Sequence, residues 1–184
     1  MSWYTDSVTE FHLKMGLPLN EYTVDDTFKR ARLMAEELGE LAIALDEKDL
    51  VKVADAMADF IYVVAGTAVN MGIPHNANFG VTGDCAPRLP DITTAMWHLQ
   101  RMMIDLGFTV EAMRTNNRVN VGRFLDSLTY KTFELAREME LPFDELFAEV
   151  HRSNMTKTPL DKHKKGGKGD GYTPPDLESI LLVK

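Results

Sequence analysis

The most constraining feature of this 184-residue sequence is a pair of long helical patterns separated by only four polar residues. Apolar side chains recur every three to four residues from Val24 to Leu45, which is typical of a helix with one face in a core. A second stretch, Leu50 to Met71, is apolar on nearly every face and is therefore expected to be buried. Because the connection between them is short, the two helices should pack as an antiparallel hairpin.

The rest of the chain also predicts helices. Thr23, with Asp26 three residues later, is the expected N-cap of the first hairpin helix. A loop rich in Gly, Pro, Asn and Asp should occupy residues 75–90, and no strand-like alternation is present. The sequence therefore predicts an all-α fold in one domain over residues 1–184. The further predicted helices cover about 2–15, 91–106, 120–141 and 143–154, with a last turn at 176–183.

Composition excludes several classes of protein. The net charge of −8 argues against duplex nucleic acid as a main ligand, since neutralising phosphates takes a clustered basic surface. Cys85 is the only cysteine, which excludes an intrachain disulfide and a multi-cysteine zinc site. The longest apolar run, Phe60 to Met71, is too short to cross a bilayer. We therefore expect a soluble cytoplasmic protein, or one in the host cytoplasm if it is phage-encoded.

Five acids on the two hairpin helices are the candidate functional residues. When the hairpin is folded between Glu47 and Lys48, acids equally far from that point come to the same height. Asp55 then lies opposite Glu40, and Asp59 lies opposite Glu36. Four or five carboxylates can therefore converge between the helices. The acids are Glu36, Glu37, Glu40, Asp55 and Asp59.

Solvated surface acids are the plainest explanation of this pattern, but the apolar second helix should carry its acids into the interior. Buried like charges repel strongly unless a cation or a proton neutralises them. Oxygen ligands without histidine or thiolate favour Mg²⁺ first and Mn²⁺ second. No histidine in the sequence follows a glutamate at the Glu-x-x-His spacing, which disfavours a di-iron centre. The residues alone thus indicate metal-dependent phosphoryl transfer or phosphate-ester hydrolysis.

Four ordered motifs carry a more specific signal. They are Glu36-Glu37-x-x-Glu40, Asp55-x-x-x-Asp59-Phe-Ile-Tyr, Glu149-Val-His-Arg-Ser-Asn-Met-Thr-Lys157 and Gly171-Tyr-Thr-Pro-Pro-Asp176, with a weaker Glu10-Phe-His-x-x-x-Gly16 before them. In this order they resemble the MazG-like all-α nucleoside triphosphate pyrophosphohydrolases. The resemblance covers about residues 8–74 and 141–177. Residues 75–141 look like a helical insertion, which makes the chain similar to phage-encoded, single-domain members.

One position departs from the family pattern. Many members carry Glu-x-x-Asp on the second ligand helix, whereas this chain has Ala56 at the glutamate position. We expect Asp55, one residue away, to take over ligation or a supporting role. The departure puts the number of metal ligands in doubt, and the reaction is not affected.

The resemblance implies hydrolysis between the α and β phosphates of a nucleoside triphosphate, giving the monophosphate and pyrophosphate. It also implies two to three Mg²⁺ ions per site, with Mn²⁺ as a substitute, held mainly by Glu37, Glu40 and Asp59. Glu36 would hold a further ion or orient the attacking water, and the general base would belong to this carboxylate set. The resemblance assigns the phosphate contacts to His151, Arg152, Asn154 and Lys157; further candidate substrate contacts are Phe11, His12, Tyr172 and Lys168.

Several alternatives stay open at this level. A purine deoxynucleotide such as dGTP is the expected substrate, and nucleoside diphosphates or phosphoribosyl nucleotides are the alternatives. A non-catalytic helical interaction module, stapled by a metal, is an alternative of another class. The basic Gly-rich loop at residues 157–175 is either a solvated loop or a lid over the triphosphate.

Oligomerisation is the last expectation from the sequence. One hairpin should leave much of the small-residue helix exposed, and the resembled family pairs hairpins into four-helix bundles. We therefore expect a homodimer or homotetramer whose bundle core forms on oligomerisation.

Overall fold

A computed structural model of the chain describes residues 3–75, 86–159 and 169–182. All regular structure in these ranges is helical, as the sequence predicts. Helix bounds agree with the predicted ones to within a few residues, apart from one helix discussed below. The helices are α1 (Trp3–Met15), α2 (Asp26–Glu47), α3 (Leu50–Met71), α4 (Ile92–Arg114), α5 (Arg118–Glu138), α6 (Phe143–Met155) and α7 (Leu177–Leu182).

The α2–α3 hairpin has the predicted short turn. Lys48 adopts a left-handed conformation with φ of 56°, which reverses the chain after α2. Asp49 then caps α3, because its carboxylate accepts a hydrogen bond from the backbone N–H of Lys52. At the other end, Gly72 stands just past the helix with φ of +61°, where only glycine is unstrained, and Pro74 follows.

Helix α3 is the central element of the fold. It packs against α1, α2, α5, α6 and α7, and its small residues are all buried at the packing surfaces. A helix apolar on most faces has to be covered on most faces, and here five helices of the same chain do so. The covering that the sequence argument assigned to a second copy is thus provided within one chain.

A second antiparallel hairpin, α4–α5, completes a four-helix arrangement. Helix α4 packs on α2 while α5 packs on α3, so that the two hairpins lie face to face. Its core side chains include Met102, Met113, Leu125 and Leu128, all fully buried. The four-helix bundle that we expected from oligomerisation therefore forms from the two hairpins of a single chain.

Two predicted details differ from the structure. Helix α4 continues past Gly107 to Arg114, whereas the sequence pattern stopped it near Leu106. A glycine inside a helix costs about 1 kcal/mol, and the buried residues Thr109 and Met113, on the last turns of α4, offset that cost. The prediction of Thr23 as the N-cap of α2 is wrong, because Asp25 stands at that position and the Thr23 hydroxyl and N–H both donate to the Asp26 carboxylate.

Gly66 sets the close approach of α1 and α2 to α3. A Cβ at this position would lie 2.9 Å from the Arg30 guanidinium and 3.2 Å from His12 Nε2. The guanidinium occupies that space and donates to the Thr67 hydroxyl and to the Val63 carbonyl, the latter at 2.7 Å. Burial lowers the pKa of Arg30 to about 10, which still leaves it cationic at neutral pH. This contact fixes the register of the hairpin that carries the acids.

None of the helices in the described ranges combines the length and the hydrophobicity needed to cross a membrane.

Candidate active site

The α2–α3 hairpin brings the predicted acids into one region. Glu37 lies half-buried on α2, and four other carboxylates are near enough to act on its charge. Asp59, directly across the hairpin, has the largest electrostatic effect of the four. The other three are Glu36, Glu40 and Asp55.

The environment of Glu37 makes its ionised form unfavourable. Burial, followed by the charges of these four acids, raises its pKa from the usual 4.5 to about 8. Desolvation and like charges act in the same direction, since both penalise a second negative charge in one place. Without a cation, Glu37 is therefore largely protonated at neutral pH. A carboxyl group held in this state is a common mark of a functional site.

Glu40 and Asp55 open onto the same hollow near the hairpin turn. The hollow has a volume of about 340 Å³, and Ala44 and Ala56 form part of its floor. Both acids thus lie close to the hairpin turn, with Ala56 beside Asp55 in the same lining.

Glu36 lies at the solvent edge of the group. Its carboxylate accepts a hydrogen bond at 2.7 Å from Arg32, one turn earlier on α2, and both side chains are about half exposed. An exposed pair of this kind contributes little stability. Glu36 is thus free to exchange Arg32 for another cation at small cost.

The oxygen atoms of these acids are suitable ligands for a divalent cation, although the side chains do not stand in the geometry of a metal site. Across residues 3–75, 86–159 and 169–182, no three carboxylate, histidine or cysteine side chains stand close enough to hold a metal ion as they are. The donors are nevertheless all oxygens, and burial, followed by repulsion from the neighbouring carboxylates, raises the pKa of Glu37. A hard cation such as Mg²⁺ would relieve that repulsion and draw the carboxylates together. The donor set fits Mg²⁺ or Mn²⁺.

A chain of polar contacts connects α1, α3 and α6 beside Asp59. The Tyr62 hydroxyl lies 3.0 Å from His151 Nδ1, and His151 Nε2 lies 3.6 Å from a carboxylate oxygen of Glu10. Because a carboxylate only accepts, the tautomer with the imidazole proton on Nε2 suits Glu10, and in that tautomer Nδ1 accepts from the tyrosine hydroxyl. Burial, then the charge of Asp59, raises the pKa of Tyr62, and burial lowers the pKa of His151. Both groups are therefore neutral at pH 7.

Two further predicted residues belong to this group of contacts. Asn154 is buried and hydrogen-bonds the same tyrosine oxygen, which opposes the rise in its pKa. Phe11 packs its edge on the Tyr62 ring with the ring centres 5.5 Å apart. The structure thus places His151, Asn154 and Phe11 around Tyr62, next to Asp59.

Arg152 is held in a structural position on α6. It forms two hydrogen bonds of 2.7 Å with the Glu149 carboxylate and a third, of 3.0 Å, with the Pro174 carbonyl. The same carboxylate accepts from the backbone N–H of Asp176. Arg152 therefore ties the C-terminal segment to α6, and its guanidinium is already occupied by protein acceptors.

Lys157 and Tyr172 lie together just past the end of α6. The lysine ammonium sits 6.0 Å from the centre of the tyrosine ring, a cation–π distance. Tyr172 also hydrogen-bonds Ser153 through its hydroxyl at 3.5 Å. Both side chains are half-buried.

Two predicted substrate contacts remain, His12 and Lys168. His12 is buried, and its Nδ1 lies 3.0 Å from the Pro18 carbonyl at the end of α1. Burial lowers the pKa of His12, and its position against Gly66 gives it a packing role. Lys168 lies outside the described residues.

Tyr62 and Glu10 are the site residues that sequence reasoning missed. Tyr62 follows Asp59 by three residues, which puts both on the same face of α3. Glu10 stands first in the weak N-terminal motif. Both signals were present in the sequence, but neither residue type is a metal or phosphate ligand by itself at that spacing, so only the packing of α1 and α6 reveals them.

Comparison with known proteins supports this location. Residues 8–80 match the family described as phosphoribosyl-ATP pyrophosphohydrolase, a match over less than half of the chain. The matched stretch contains the later part of α1 and all of α2 and α3, with all five acids. The chain is similar to a pyrophosphohydrolase family through its acidic hairpin.

The chain is also similar, over nearly its full length, to a viral protein. An uncharacterized protein of Acanthamoeba polyphaga mimivirus is 26% identical over 200 residues, covering 96% of this chain and 80% of that protein. No solved structure matches the chain. The α4–α5 hairpin and the C-terminal segment therefore lie outside the family match.

Proposed function

We propose that this protein hydrolyses a nucleotide carrying a triphosphate between the α and β phosphates, releasing pyrophosphate. The observation that carries the proposal is the gathering of five carboxylates on the α2–α3 hairpin, where the half-buried Glu37 lies within reach of the charges of the other four. That cluster lies inside the stretch that matches a pyrophosphohydrolase family. The order of the four sequence motifs supports the same chemistry.

Mg²⁺ is the proposed cofactor, with Mn²⁺ as a substitute and two to three ions at full occupancy. Glu37, Glu40 and Asp59 would hold it, with Asp55 and Glu36 as further ligands. When bound, the ion polarises phosphoryl oxygens and activates a water molecule. Glu37 would have to lose its proton before it could ligate, and a cation shared with Asp59, whose charge acts most strongly on Glu37, would make this loss favourable. A carboxylate of this set that does not ligate would accept the proton of the attacking water.

The phosphate groups would meet mostly neutral donors. His151 and Tyr62 are uncharged at neutral pH, and Asn154 offers an amide. Lys157 is the cation that we propose for the outer phosphates, because its ammonium is only loosely held over the Tyr172 ring. Arg152 is a weaker candidate than the sequence suggested, since Glu149 and Pro174 already occupy its guanidinium.

Two substrate classes fit a triphosphate site. A purine deoxynucleoside triphosphate such as dGTP is one, and phosphoribosyl-ATP is the second, favoured by the description of the matching family. Both present the same α–β bond to the metal, so the acid cluster does not distinguish them. Nucleoside diphosphates are the weaker alternative because they offer no pyrophosphate as a leaving group.

The test is a substrate panel of the ribo- and deoxynucleoside triphosphates, their diphosphates and phosphoribosyl-ATP, with products separated by ion-exchange chromatography. We expect monophosphate plus pyrophosphate from at least one triphosphate with Mg²⁺ or Mn²⁺, and much slower turnover with Ca²⁺, whose coordination is longer and looser. Glu40→Gln should lose activity, while Glu145→Gln, an exposed acid on α6, should keep it. Phosphate in place of pyrophosphate would contradict the proposed bond. No turnover of any substrate would favour the non-catalytic module.

A further inference from the structure

Between Ile92 and Phe108, helix α4 carries an exposed face without a charged residue; farther along, the exposed Glu111 and Arg114 pair with each other at 2.7 Å. From Ile92 to Phe108, every residue of this helix that is exposed to solvent is apolar, glycine or an uncharged polar residue. We call these residues the α4 stripe. They are Ile92, Thr93, Met96, Trp97, Gln100, Met103, Ile104, Gly107 and Phe108.

The α4 stripe is continuous and centred on Gln100. At 100° per residue, its members fall within about 160° of the helix circumference. Gln100 lies in the middle of the stripe both along the helix and across it. Met96 and Ile104 stand one turn away on either side, and Ile92 and Phe108 stand two turns away.

Within this stretch the charges of α4 are paired with α5, and one of them borders the stripe, since the Arg101 guanidinium lies 4.1 Å from the centre of the Trp97 ring. Arg101 donates to Glu134 at 2.9 Å, and Lys131 donates to Asp105, so both charges are paired with the neighbouring helix α5. Every charged side chain between Ile92 and Phe108 is thus used inside the α4–α5 hairpin. Between Ile92 and Phe108, the exposed side of the helix presents only uncharged groups, beside a shallow hollow of about 930 Å³.

The size of the stripe matches one half of a stable interface. Its six large apolar side chains are each 49–65% exposed. Taking roughly 200 Å² for such a side chain, they expose on the order of 700 Å². A monomer rarely leaves a patch above about 300–600 Å² uncovered, and each partner of a standard interface contributes about 800 Å².

We propose that the α4 stripe is the contact face of a homodimer, in which two α4 helices pack about a two-fold axis near Gln100. An isologous contact requires a face that complements itself, and a charge-free stripe has no like-charge clash with its own copy. The two Gln100 side chains would meet at the axis, where each amide can donate to and accept from the other. In a chain of net charge −8, an uncharged face is also where two copies approach with the least repulsion.

This interface differs from the pairing of acidic hairpins that the sequence suggested, because α4 and α5 already cover that bundle within one chain. It does not depend on the proposed hydrolysis.

The test uses the full chain in sedimentation-velocity and light-scattering measurements from 1 to about 100 μM. Wild type should have twice the chain mass of 20.7 kDa. Gln100→Glu and Gln100→Lys should each weaken self-association at least about 10-fold, because each places two like charges at the axis. An equimolar mixture of the two variants should form a dimer again, since the opposite charges then face each other. Position 100 is exposed, so neither variant disturbs the core.

Leu13→Glu is the matched control, since Leu13 is 65% exposed on α1 and lies outside the stripe. It should leave the dimer unchanged. A monomeric wild type at 100 μM overturns the proposal and leaves the stripe to a different partner. A mixture that associates no better than its components, or a Leu13→Glu variant that dissociates like the Gln100 variants, also overturns it.

Discussion

The two helical hairpins of this protein are nearly the same length, yet their interior charged side chains have opposite kinds of neighbours. Along α4–α5, each interior charge meets an opposite one: Lys131 pairs with Asp105, and Arg101 pairs with Glu134. Along α2–α3, the half-buried Glu37 is surrounded by other acids, and the charged groups that raise its pKa are all carboxylates. The interior charges of α4–α5 are thus neutralised by opposite charges, whereas Glu37 on α2–α3 stands among like charges.

This difference separates the two parts by what they contribute. Paired interior charges hold α4 and α5 in register and need nothing from solution. Like charges gathered around a half-buried carboxyl group destabilise the fold that carries them, and such strain persists where it serves a function. We therefore assign the chemistry to α2–α3 and the support, with the proposed dimer face, to α4–α5.

The largest expected effect is on turnover. Asp59→Asn removes a proposed metal ligand with almost no change of shape and should lower the rate by at least about 1,000-fold, a loss of roughly 4 kcal/mol or more. Asp105→Asn makes the same chemical change in the other hairpin and should leave the rate of the remaining folded protein within a few-fold of wild type. Pyrophosphate release, normalised to folded protein by circular dichroism, measures both. Equal losses of rate in the two variants would contradict the assignment of the chemistry to α2–α3.

Stability should respond in the reverse order. Asp105→Asn leaves the ammonium of Lys131 nearly buried without its counter-charge and should cost about 3 kcal/mol. Asp59→Asn relieves repulsion and should stabilise the metal-free protein by about 1–2 kcal/mol. With saturating Mg²⁺ this gain should shrink or reverse, because the ion binds the ligand-bearing form better. Urea denaturation in chelator and in Mg²⁺ gives these free energies of unfolding. If the urea denaturation curve of Asp59→Asn does not change with Mg²⁺, the acids are solvated surface groups.

Lys157 tests whether the C-terminal segment belongs to the site. Lys157→Ala should reduce kcat/KM by about 10–100-fold, the loss expected for a charge-assisted contact to phosphate of about 1.5–3 kcal/mol. Lys164→Ala, in the Gly-rich run of the same segment, is the control and should have a much smaller effect. If the two substitutions act alike, the separation between site and basic loop is incorrect.

The smallest expected effect is a pH dependence of stability. The folded chain raises the pKa of Glu37 from 4.5 to about 8, so it binds that proton more tightly than the unfolded chain. The resulting stabilisation is complete below pH 4.5 and is lost as the pH rises through about 8. After allowance for solvent screening at this half-buried side chain, we expect a contribution of about 1 kcal/mol. Between pH 5.5 and 8.5 in chelator, the melting temperature of wild type should therefore fall more than that of Glu37→Gln. Parallel slopes would contradict the pKa assignment.

Much of the acidic hairpin could be predicted from the sequence because its determinants are local. Asp49 caps α3 and Gly72 ends it, and these signals put both ends at the predicted residues. The place of Glu40 and Asp55 close to the hairpin turn follows from counting residues from the turn. By contrast, α4 runs through Gly107 because of burial farther along the helix, which no local pattern reports.

The contacts between distant elements could not be predicted in the same way. The contact of Glu10 with His151 joins α1 to α6, and the Tyr62 hydroxyl completes the path from α3. The occupation of Arg152 by Glu149 and Pro174 likewise depends on where the C-terminal segment returns. The cover of α3 by α5 was missed because the sequence does not show that the second hairpin folds back on the first.

The most direct test of the central claim is calorimetric titration of the metal-free protein with Mn²⁺ at pH 7, in two buffers of different ionisation enthalpy. If the acid cluster is a cation site with Glu37 protonated beforehand, binding should release about one proton per site, because a ligand must be ionised. Glu37→Gln should bind more weakly and release close to none, while Glu145→Gln should behave as wild type. Binding without proton release, or no binding by wild type at millimolar Mn²⁺, would contradict the account.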